Sequence, residues 1–258
     1  MEMTELIKEM RGAALWLTID RPERRNAMNE VVINGLADAI RQAGNNKDVR
    51  VVVITGAGEK AFCSGADLAT GTSFEFDYAT PSLAYAQLLR TAHTTTVPLL
   101  ARVNGACMAG GMGLLSMCDM AIAADHAIFG LPEVKVGVFP MQVLSVLQHL
   151  IPSRTLYEMC LTGEPISVAE AKTIGLVNHV VPTAELDAKV DWLISRLTDK
   201  SPTAIRRGRY TMRRIQAMSF EESISFTESQ IGLVSMTKDA KEGLLAFREK
   251  RTPVWTGS

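Results

Sequence analysis

The fold is predicted chiefly by residues 102–114, which read RVNGACMAGGMGL. Small residues fill this stretch where a strand pattern gives way to a helix pattern. A second stretch of the same kind, residues 60–68, reads KAFCSGADL. Small residues let backbone N–H groups approach a ligand closely, and the N-terminus of a helix adds a partial positive charge. If the two loops meet, their N–H groups can stabilise a developing oxyanion.

The pattern around these loops predicts an α/β protein. Strand-like segments, alternating or rich in β-branched residues, occur at residues 13–20, 49–55, 99–103 and 120–124. Asn29 is expected to cap a helix that runs from Glu30 to about Ala43, with Gly44 as its terminator. Helical patterns dominate from residue 142 onward, at residues 184–198, 203–217, 220–235 and 238–249. The sequence KSP at residues 200–202 is the best boundary candidate, so we predict an α/β core over residues 1–200 and a helical arm over residues 201–258.

The composition restricts the kinds of partner. The chain has 258 residues and a formal net charge of −1, from 27 Lys and Arg against 28 Asp and Glu. This balance gives no electrostatic reason to expect nucleic acid or an anionic membrane as partner. The uncharged run at residues 103–118 is too short and too rich in glycine to span a membrane. A basic cluster is interpreted as a solvated helix face; it comprises Arg206, Arg207, Arg209, Arg213 and Arg214.

Cysteine and histidine positions argue against a metal site. The four cysteines show no CxxC spacing, and the four histidines are scattered singly. Nothing near Cys107 in the second loop indicates an activated thiolate. The N-terminus is acidic and lacks a signal-peptide pattern. We therefore expect no metal, and a cytoplasmic location.

Residues 56–61, GAGEKA, raise a different interpretation, because GxGxxA after a strand is typical of dinucleotide-binding loops. The next residues, FCSG at 62–65, interrupt the helix that should begin there. None of the four tyrosines is followed four residues later by the lysine of short-chain dehydrogenases. A nicotinamide site is therefore the weaker hypothesis.

Four further motifs, together with the two loops, resemble those of the enoyl-CoA hydratase/isomerase family, also called the crotonase superfamily. They are RPERRNAM at residues 21–28, FGLPE at 129–133, LTG at 161–163 and EGLLAFREKR at 242–251. They cover essentially the whole chain in the family's order. The resemblance implies an α/β fold, a crotonase-like spiral of ββα units with a C-terminal helical trimerisation arm, assembled as a trimer or hexamer.

The resemblance also implies a site that stabilises the enolate of a CoA thioester, which is itself the substrate, so that no cofactor is expected. The backbone N–H groups of Ala66 and Gly110 would form the oxyanion hole, and Glu133 would be the catalytic carboxylate. The family's substrate-binding positions correspond here to Arg24, Arg25, Ala27, Ser64, Ala66, Asp67, Leu68, Gly110, Gly111, Pro132, Phe247 and Lys250. Phe247 and Lys250 would come from the C-terminal arm, of the same or a neighbouring subunit.

Two departures from the family pattern bear on the reaction. Hydratases of the family carry two glutamates, and water addition needs both. Here the first position is Gly113, whereas the second is Glu133. The glycine-rich turn that helps to seat water in hydratases is also replaced, and Met141 stands within it. One glutamate suffices to move a proton from C2 to C4, so the sequence favours Δ3,Δ2-enoyl-CoA isomerisation with Glu133 as proton shuttle.

Three alternatives stay open. The protein could be a hydratase, or another acyl-CoA lyase, with an unrecognised second acid for which Glu75 and Asp77 are candidates. It could also be a non-catalytic acyl-CoA-binding scaffold. Among the other acids, Asp67 is expected to cap the helix that follows it, and Asp119 and Asp125 are expected to be structural.

Overall fold

The computed structural model describes residues 5–67, residue 79 and residues 83–258. Ten strands lie in these ranges: β1 Leu6–Arg11, β2 Ala14–Ile19, β3 Val51–Gly56, β4 Ala61–Cys63, β5 Leu99–Val103, β6 Ala106–Met108, β7 Met120–Ala124, β8 Ile128–Gly130, β9 Ile166–Ser167 and β10 His179–Val181. All four predicted strands are present. The prediction missed the other six, five of which have only two or three residues. The sixth, β1, is an exposed edge strand in which Leu6 alone is buried, so its sequence carries no alternating apolar pattern.

The strands form two sheets, and the order of the strands in each sheet follows the spiral path of the chain. The larger sheet has the order β1-β2-β3-β5-β7-β10, and only the β1–β2 hairpin in it is antiparallel. The smaller sheet has the order β4-β6-β8-β9. Thus β3, β5 and β7 of the large sheet are each followed by β4, β6 and β8 of the small one, in the same order. Successive turns of the chain therefore stack, which confirms the predicted spiral α/β fold.

Ten α-helices surround the sheets in the described ranges: α1 Glu30–Asn45, α2 Ala84–Thr94, α3 Gly110–Met117, α4 Met141–Leu147, α5 Ser153–Thr162, α6 Val168–Thr173, α7 Leu186–Thr198, α8 Pro202–Ile215, α9 Phe220–Ser235 and α10 Lys238–Glu249. Asn29 caps α1 as predicted, because its side chain accepts a hydrogen bond from the backbone N–H of Val32. No helix within these ranges is long and apolar enough to cross a membrane.

The predicted end of α1, at about Ala43 with Gly44 as terminator, is wrong, because the helix includes Gly44 and runs to Asn45. Gly44 does not serve as a left-handed terminator. A Cβ atom there would lie 3.1 Å from Thr95 Oγ1, and Arg206 donates a 2.8 Å hydrogen bond to the Gly44 carbonyl. The glycine therefore permits a close approach of neighbouring segments rather than a turn of the backbone.

The interpretation of the basic cluster as a solvated helix face is also wrong for three of its members. Arg209 is buried and pairs with Asp119 at 2.7 Å, and Arg213 reaches the other oxygen of Asp119 at 3.0 Å. Arg206 donates to the carbonyls of Gly44, Asn46 and Val49. Carbonyl groups at and beyond the end of α1, together with the carboxylate of Asp119 before β7, thus bind α8 to the core. The local sequence of α8 does not indicate either kind of partner. The structural interpretation of Asp119 is confirmed.

The last three helices carry apolar side chains that face outward in the single chain. Phe220, Ile231 and Leu244 are each more than half exposed. A contiguous patch of such side chains is typical of a surface that contacts another chain. Trimerisation through the arm, and the division at residue 200, stay predictions.

Candidate active site

The two glycine-rich loops meet at the start of α3. Gly65, which follows β4, has a φ of +104° that an L side chain rarely adopts. A Cβ atom at Gly65 would lie 2.8 Å from Ala109 Cβ and 3.1 Å from the Gly110 nitrogen. Only glycine fits such a close approach of the loop after β4 to the loop after β6. The predicted convergence of the two loops is therefore present.

The hydrogen bonds around Ala66 leave its N–H group free to bind a ligand. The Met28 N–H donates to the Gly65 carbonyl at 2.7 Å, and the Asp67 N–H donates to the Met28 carbonyl at 2.9 Å. Gly110 is the first residue of α3, where an N–H group has no acceptor inside its own helix. In the described part of the chain, neither N–H meets a protein acceptor. Two unpaired donors thus lie at the junction of the loops.

The donors lie close together on strained, closely packed backbone. A Cβ atom at Gly110 would lie 3.7 Å from the Ala66 nitrogen. Ala109 has a φ of 51°, uncommon for a residue with a side chain, and conformations of this kind concentrate at functional sites. A Cβ atom at Gly111 would lie 2.3 Å from the Cys63 carbonyl oxygen, so α3 begins in direct contact with β4.

The RPERRNAM turn fixes the first loop through an ion pair. The Arg21 guanidinium lies 2.7 Å from Asp67 Oδ2 and also donates to the Ala27 carbonyl at 2.6 Å. Both charged side chains are about nine-tenths buried. Asp67 therefore binds Arg21, whereas the helix that it was expected to cap lies outside the described residues.

The predicted CoA-binding residues of the N-terminal turn lie beside the first loop. The Ser64 N–H donates to the Arg25 carbonyl at 3.1 Å, and the Ser64 hydroxyl donates to the Arg24 carbonyl at 3.3 Å. Both arginine side chains are exposed, and Ala27 is buried next to them. Exposed guanidinium groups at the mouth of the loop have the charge and the donors that a phosphate requires.

Glu133 stands on the neighbouring turn of the spiral. Strand β8 pairs with β6, and the Ala109 N–H donates to the Gly130 carbonyl at 2.9 Å. A short 3-10 helix, Pro132–Val136, follows β8 and places Glu133 in its first turn. Glu133 Oε2 is buried and has no hydrogen-bond partner among the described residues. Burial raises the pKa of Glu133, although a backbone hydrogen bond opposes the shift.

The position of the missing glutamate is occupied by a residue that the sequence did not indicate. A Cβ atom at Gly113 would lie only 1.9 Å from the hydroxyl oxygen of Tyr85 on α2. That hydroxyl donates a 2.5 Å hydrogen bond to the Gly110 carbonyl. Burial, and then nearby acidic groups, raise the pKa of Tyr85, so the phenol stays neutral. The absence of a side chain at Gly113 was the signal available, but it did not reveal which residue fills the space.

The prediction that Cys107 is not an activated thiolate agrees with the structure. Cys107 is buried, and burial raises its pKa, as burial also raises the pKa of Cys63 to about 12. Neither thiol therefore supplies a thiolate at neutral pH. Among the described residues, no three His, Cys, Asp or Glu side chains cluster as metal ligands would.

The GAGEKA segment does not form a dinucleotide loop. Ala61 begins strand β4 instead of a helix. The side-chain amide of Asn104 donates to the carbonyls of Gly58 and Ala61, and that of Asn26 donates to Ala57 and Ala61. These amides fill the turn that a pyrophosphate would need, which agrees with the weaker rank given to a nicotinamide site.

Three predicted ligand-binding residues are not joined to this site by the described structure. Leu68 lies outside the described residues. The two candidate second acids, Glu75 and Asp77, also lie outside them. Phe247 is 83% exposed on α10, which packs against α8 and α9. Lys250 is exposed at the end of the same helix. Contacts from the arm to the site, within one chain or between chains, therefore stay a prediction.

Known proteins share both the sequence pattern and this geometry. The family model described as enoyl-CoA hydratase/isomerase matches residues 9–258. An enoyl-CoA hydratase of Mycobacterium tuberculosis is 35% identical over 96% of this chain and 95% of its own length. A carnitinyl-CoA dehydratase of Escherichia coli is also 35% identical, over 95% of this chain and 96% of its own length.

A solved structure repeats the whole architecture. The crystal structure of an enoyl-CoA hydratase from Bacillus anthracis superimposes with a TM-score of 0.90 at 28% identity, covering 98% of this chain and 100% of that one. The stacked ββα turns, the paired backbone donors and a sequence match that spans nearly the full length all agree. The chain belongs to the enoyl-CoA hydratase/isomerase family.

Proposed function

We propose that this protein is a Δ3,Δ2-enoyl-CoA isomerase. The observation that carries the proposal is that Glu133 is present as a buried carboxylate while Tyr85 occupies the space at position 113. Glu133 offers a buried, unpartnered carboxylate oxygen on the turn of the spiral that follows Gly110, whereas the Tyr85 hydroxyl fills the place of a second carboxylate. A site with one carboxylate can move a proton between two carbons, but it lacks the second acid or base that water addition uses.

The chemistry follows from charge. Removing a proton from C2 of a 3-enoyl-CoA places negative charge on the thioester oxygen, and the N–H groups of Ala66 and Gly110 would stabilise it. Donors of this kind are worth about 3–4 kcal/mol each in comparable sites. Glu133 would accept the C2 proton and return it to C4 of the dienolate, which moves the double bond into conjugation with the thioester. The proton count balances, and no cofactor is needed.

The CoA part of the substrate would lie along the N-terminal turn and the first loop. Arg24 and Arg25 are exposed there and suit its phosphates. The backbone from Ser64 to Leu68 would follow the pantetheine chain. Phe247 and Lys250 would close over the substrate from the arm of a trimer or hexamer, which is consistent with the apolar side chains exposed on that arm.

Hydration or dehydration of an acyl-CoA is the second candidate, because the relatives reported above are named hydratase or dehydratase. That reaction would need a second proton-transfer group besides Glu133. Glu75 and Asp77 are the acids proposed for it.

One pair of substrates separates these functions. The purified protein is incubated with a 3-enoyl-CoA or with the matching 2-enoyl-CoA, and the absorbance of the conjugated thioester is followed. Isomerisation gives a rise with the 3-enoyl-CoA. A fall with the 2-enoyl-CoA, without a rise in the other assay, would replace isomerisation by hydration. No change in either assay, with acyl-CoA binding still measurable, would contradict both and favour a scaffold.

A further inference from the structure

We propose that Tyr85 is a positioning and specificity residue for this site. Its hydroxyl occupies the space of a side chain at position 113, and it holds the first residue of α3 through the Gly110 carbonyl. This inference rests on the proposed oxyanion hole. It identifies Tyr85 as the residue that prevents a second carboxylate at position 113.

The steric part of the inference comes from three contacts around Gly113. A Cβ atom there would lie 1.9 Å from Tyr85 Oη, 3.1 Å from Tyr85 Cζ and 3.4 Å from a methyl group of Val143. Contacts below 3.0 Å cannot be tolerated without movement, so any larger residue at position 113 must displace the phenol. A glutamate at position 113 and a tyrosine at position 85 therefore exclude each other in this arrangement.

The positioning part comes from the hydrogen bond at 2.5 Å between the Tyr85 hydroxyl and the Gly110 carbonyl. A carbonyl oxygen has two lone pairs. The Gly110 carbonyl can therefore accept a hydrogen bond from the phenol as well as one from a backbone N–H group in the next turn of α3. Gly110 carries one of the two proposed oxyanion donors, and Gly111 beside it is packed against the Cys63 carbonyl. Tyr85 thus restrains the donor residue at its carbonyl, while β4 packs against the residue that follows it.

A phenol suits this place better than a carboxylate would. Because its hydroxyl stays neutral, it donates to the carbonyl without placing a negative charge beside the developing enolate. A carboxylate at the same place would repel both the carbonyl oxygen and the ionised form of Glu133. With tyrosine here, this part of the site stays neutral, and Glu133 alone supplies the proposed base.

The hydroxyl is tested by Tyr85→Phe with Tyr157→Phe as the matched control. Tyr157 lies on α5 and is 67% exposed, so its loss of a hydroxyl should change nothing. Tyr85→Phe should lower kcat about ten-fold, the usual effect of one lost hydrogen bond, and leave KM for the acyl-CoA within two-fold. A kcat equal to that of Tyr157→Phe would overturn the positioning role. So would a loss expressed in KM alone.

The steric role is tested by a double-mutant cycle of Gly113→Glu, Tyr85→Ala and the combined variant. Gly113→Glu alone should lower the melting temperature, whereas adding Tyr85→Ala should recover part of the loss. The combined variant, with carboxylates at 113 and 133, should also hydrate a 2-enoyl-CoA faster than Tyr85→Ala does.

The outcomes of the cycle are separable from the proposed function. Additive changes in melting temperature would overturn the steric role, whatever reaction the enzyme catalyses. A wild-type protein inactive on 3-enoyl-CoA would contradict the isomerase, while a non-additive cycle would still support the exclusion of a side chain at position 113.

Discussion

The proposed hydrogen-bond-donating side of the site is built from backbone, whereas the proposed proton-transferring side is built from one side chain. Ala66 and Gly110 contribute N–H groups, and their positions depend on glycines that allow two loops to touch. Glu133 contributes a single carboxylate from a short 3-10 helix. The backbone donors can be altered only by changing how the two loops pack, whereas the carboxylate can be removed by one isosteric substitution. The two sides can therefore be tested separately.

The sharpest test of the side-chain side is Glu133→Gln, which keeps the shape and removes the base. We expect kcat to fall by about 10²–10⁴-fold, the usual contribution of a general base. Binding of the acyl-CoA, measured by calorimetry, should change little because the N–H donors and Arg24 are untouched.

Glu158→Gln on α5 is the matched control, since Glu158 is exposed and distant in sequence from the loops. It should keep full activity. Retention of isomerisation by Glu133→Gln would show that another group moves the proton.

The backbone side is tested by Gly111→Ala. The added methyl group would lie 2.3 Å from the Cys63 carbonyl oxygen. The backbone fixes the positions of both atoms, so neither can rotate away. Overpacking of this kind costs about 1–3 kcal/mol, which denaturant unfolding would measure. The start of α3 should move with it, and kcat should fall although every side chain of the site is intact.

Gly208→Ala is the control for the glycine substitution. Gly208 lies inside α8, where an added Cβ atom meets nothing within 4 Å. Alanine should stabilise that helix by about 0.5–1 kcal/mol and leave kcat unchanged. Equal effects at both positions would mean that the start of α3 can adapt, and would weaken the distinction between the two sides.

The smallest effect concerns pH. Because burial raises the pKa of Glu133, its ionised form becomes dominant at a higher pH than it does for an ordinary glutamate. The acid limb of kcat/KM should accordingly lie above pH 4.5 and should rise as pH rises. For stability the sign is opposite: the protonated form is favoured in the folded state, so this contribution is complete below pH 4.5 and is lost as pH rises through the raised pKa. An acid limb at or below pH 4.5 would contradict the assignment of Glu133 as the base.

The parts of the site that lie close together in sequence were predictable, and those that depend on packing were not. The glycine loops and the FGLPE segment carry their geometry in local spacing, so Ala66, Gly110 and Glu133 could be named. Tyr85 belongs to a helix whose register against α3 is set by tertiary contacts, and nothing in its neighbours indicates Gly113 as its partner.

The same reason explains the errors in the fold. Arg209 looks like part of a charged helix face, but its partner Asp119 lies 90 residues away. Similarly, Gly44 reads as a helix terminator because the contact with Thr95 is not encoded next to it. Long-range pairs of this kind decide whether a charge is solvated or buried, and a single sequence does not contain them.

The burial of the thiols has a practical consequence for labelling. Cys63, Cys107, Cys118 and Cys160 are the four cysteines of the chain, and all are buried with raised pKa values. The folded protein should therefore react slowly with alkylating reagents at neutral pH. A cysteine introduced at an exposed position, for example by Lys47→Cys, could carry a fluorophore without removal of the native ones. Slow labelling of the native four would then report how often the core opens.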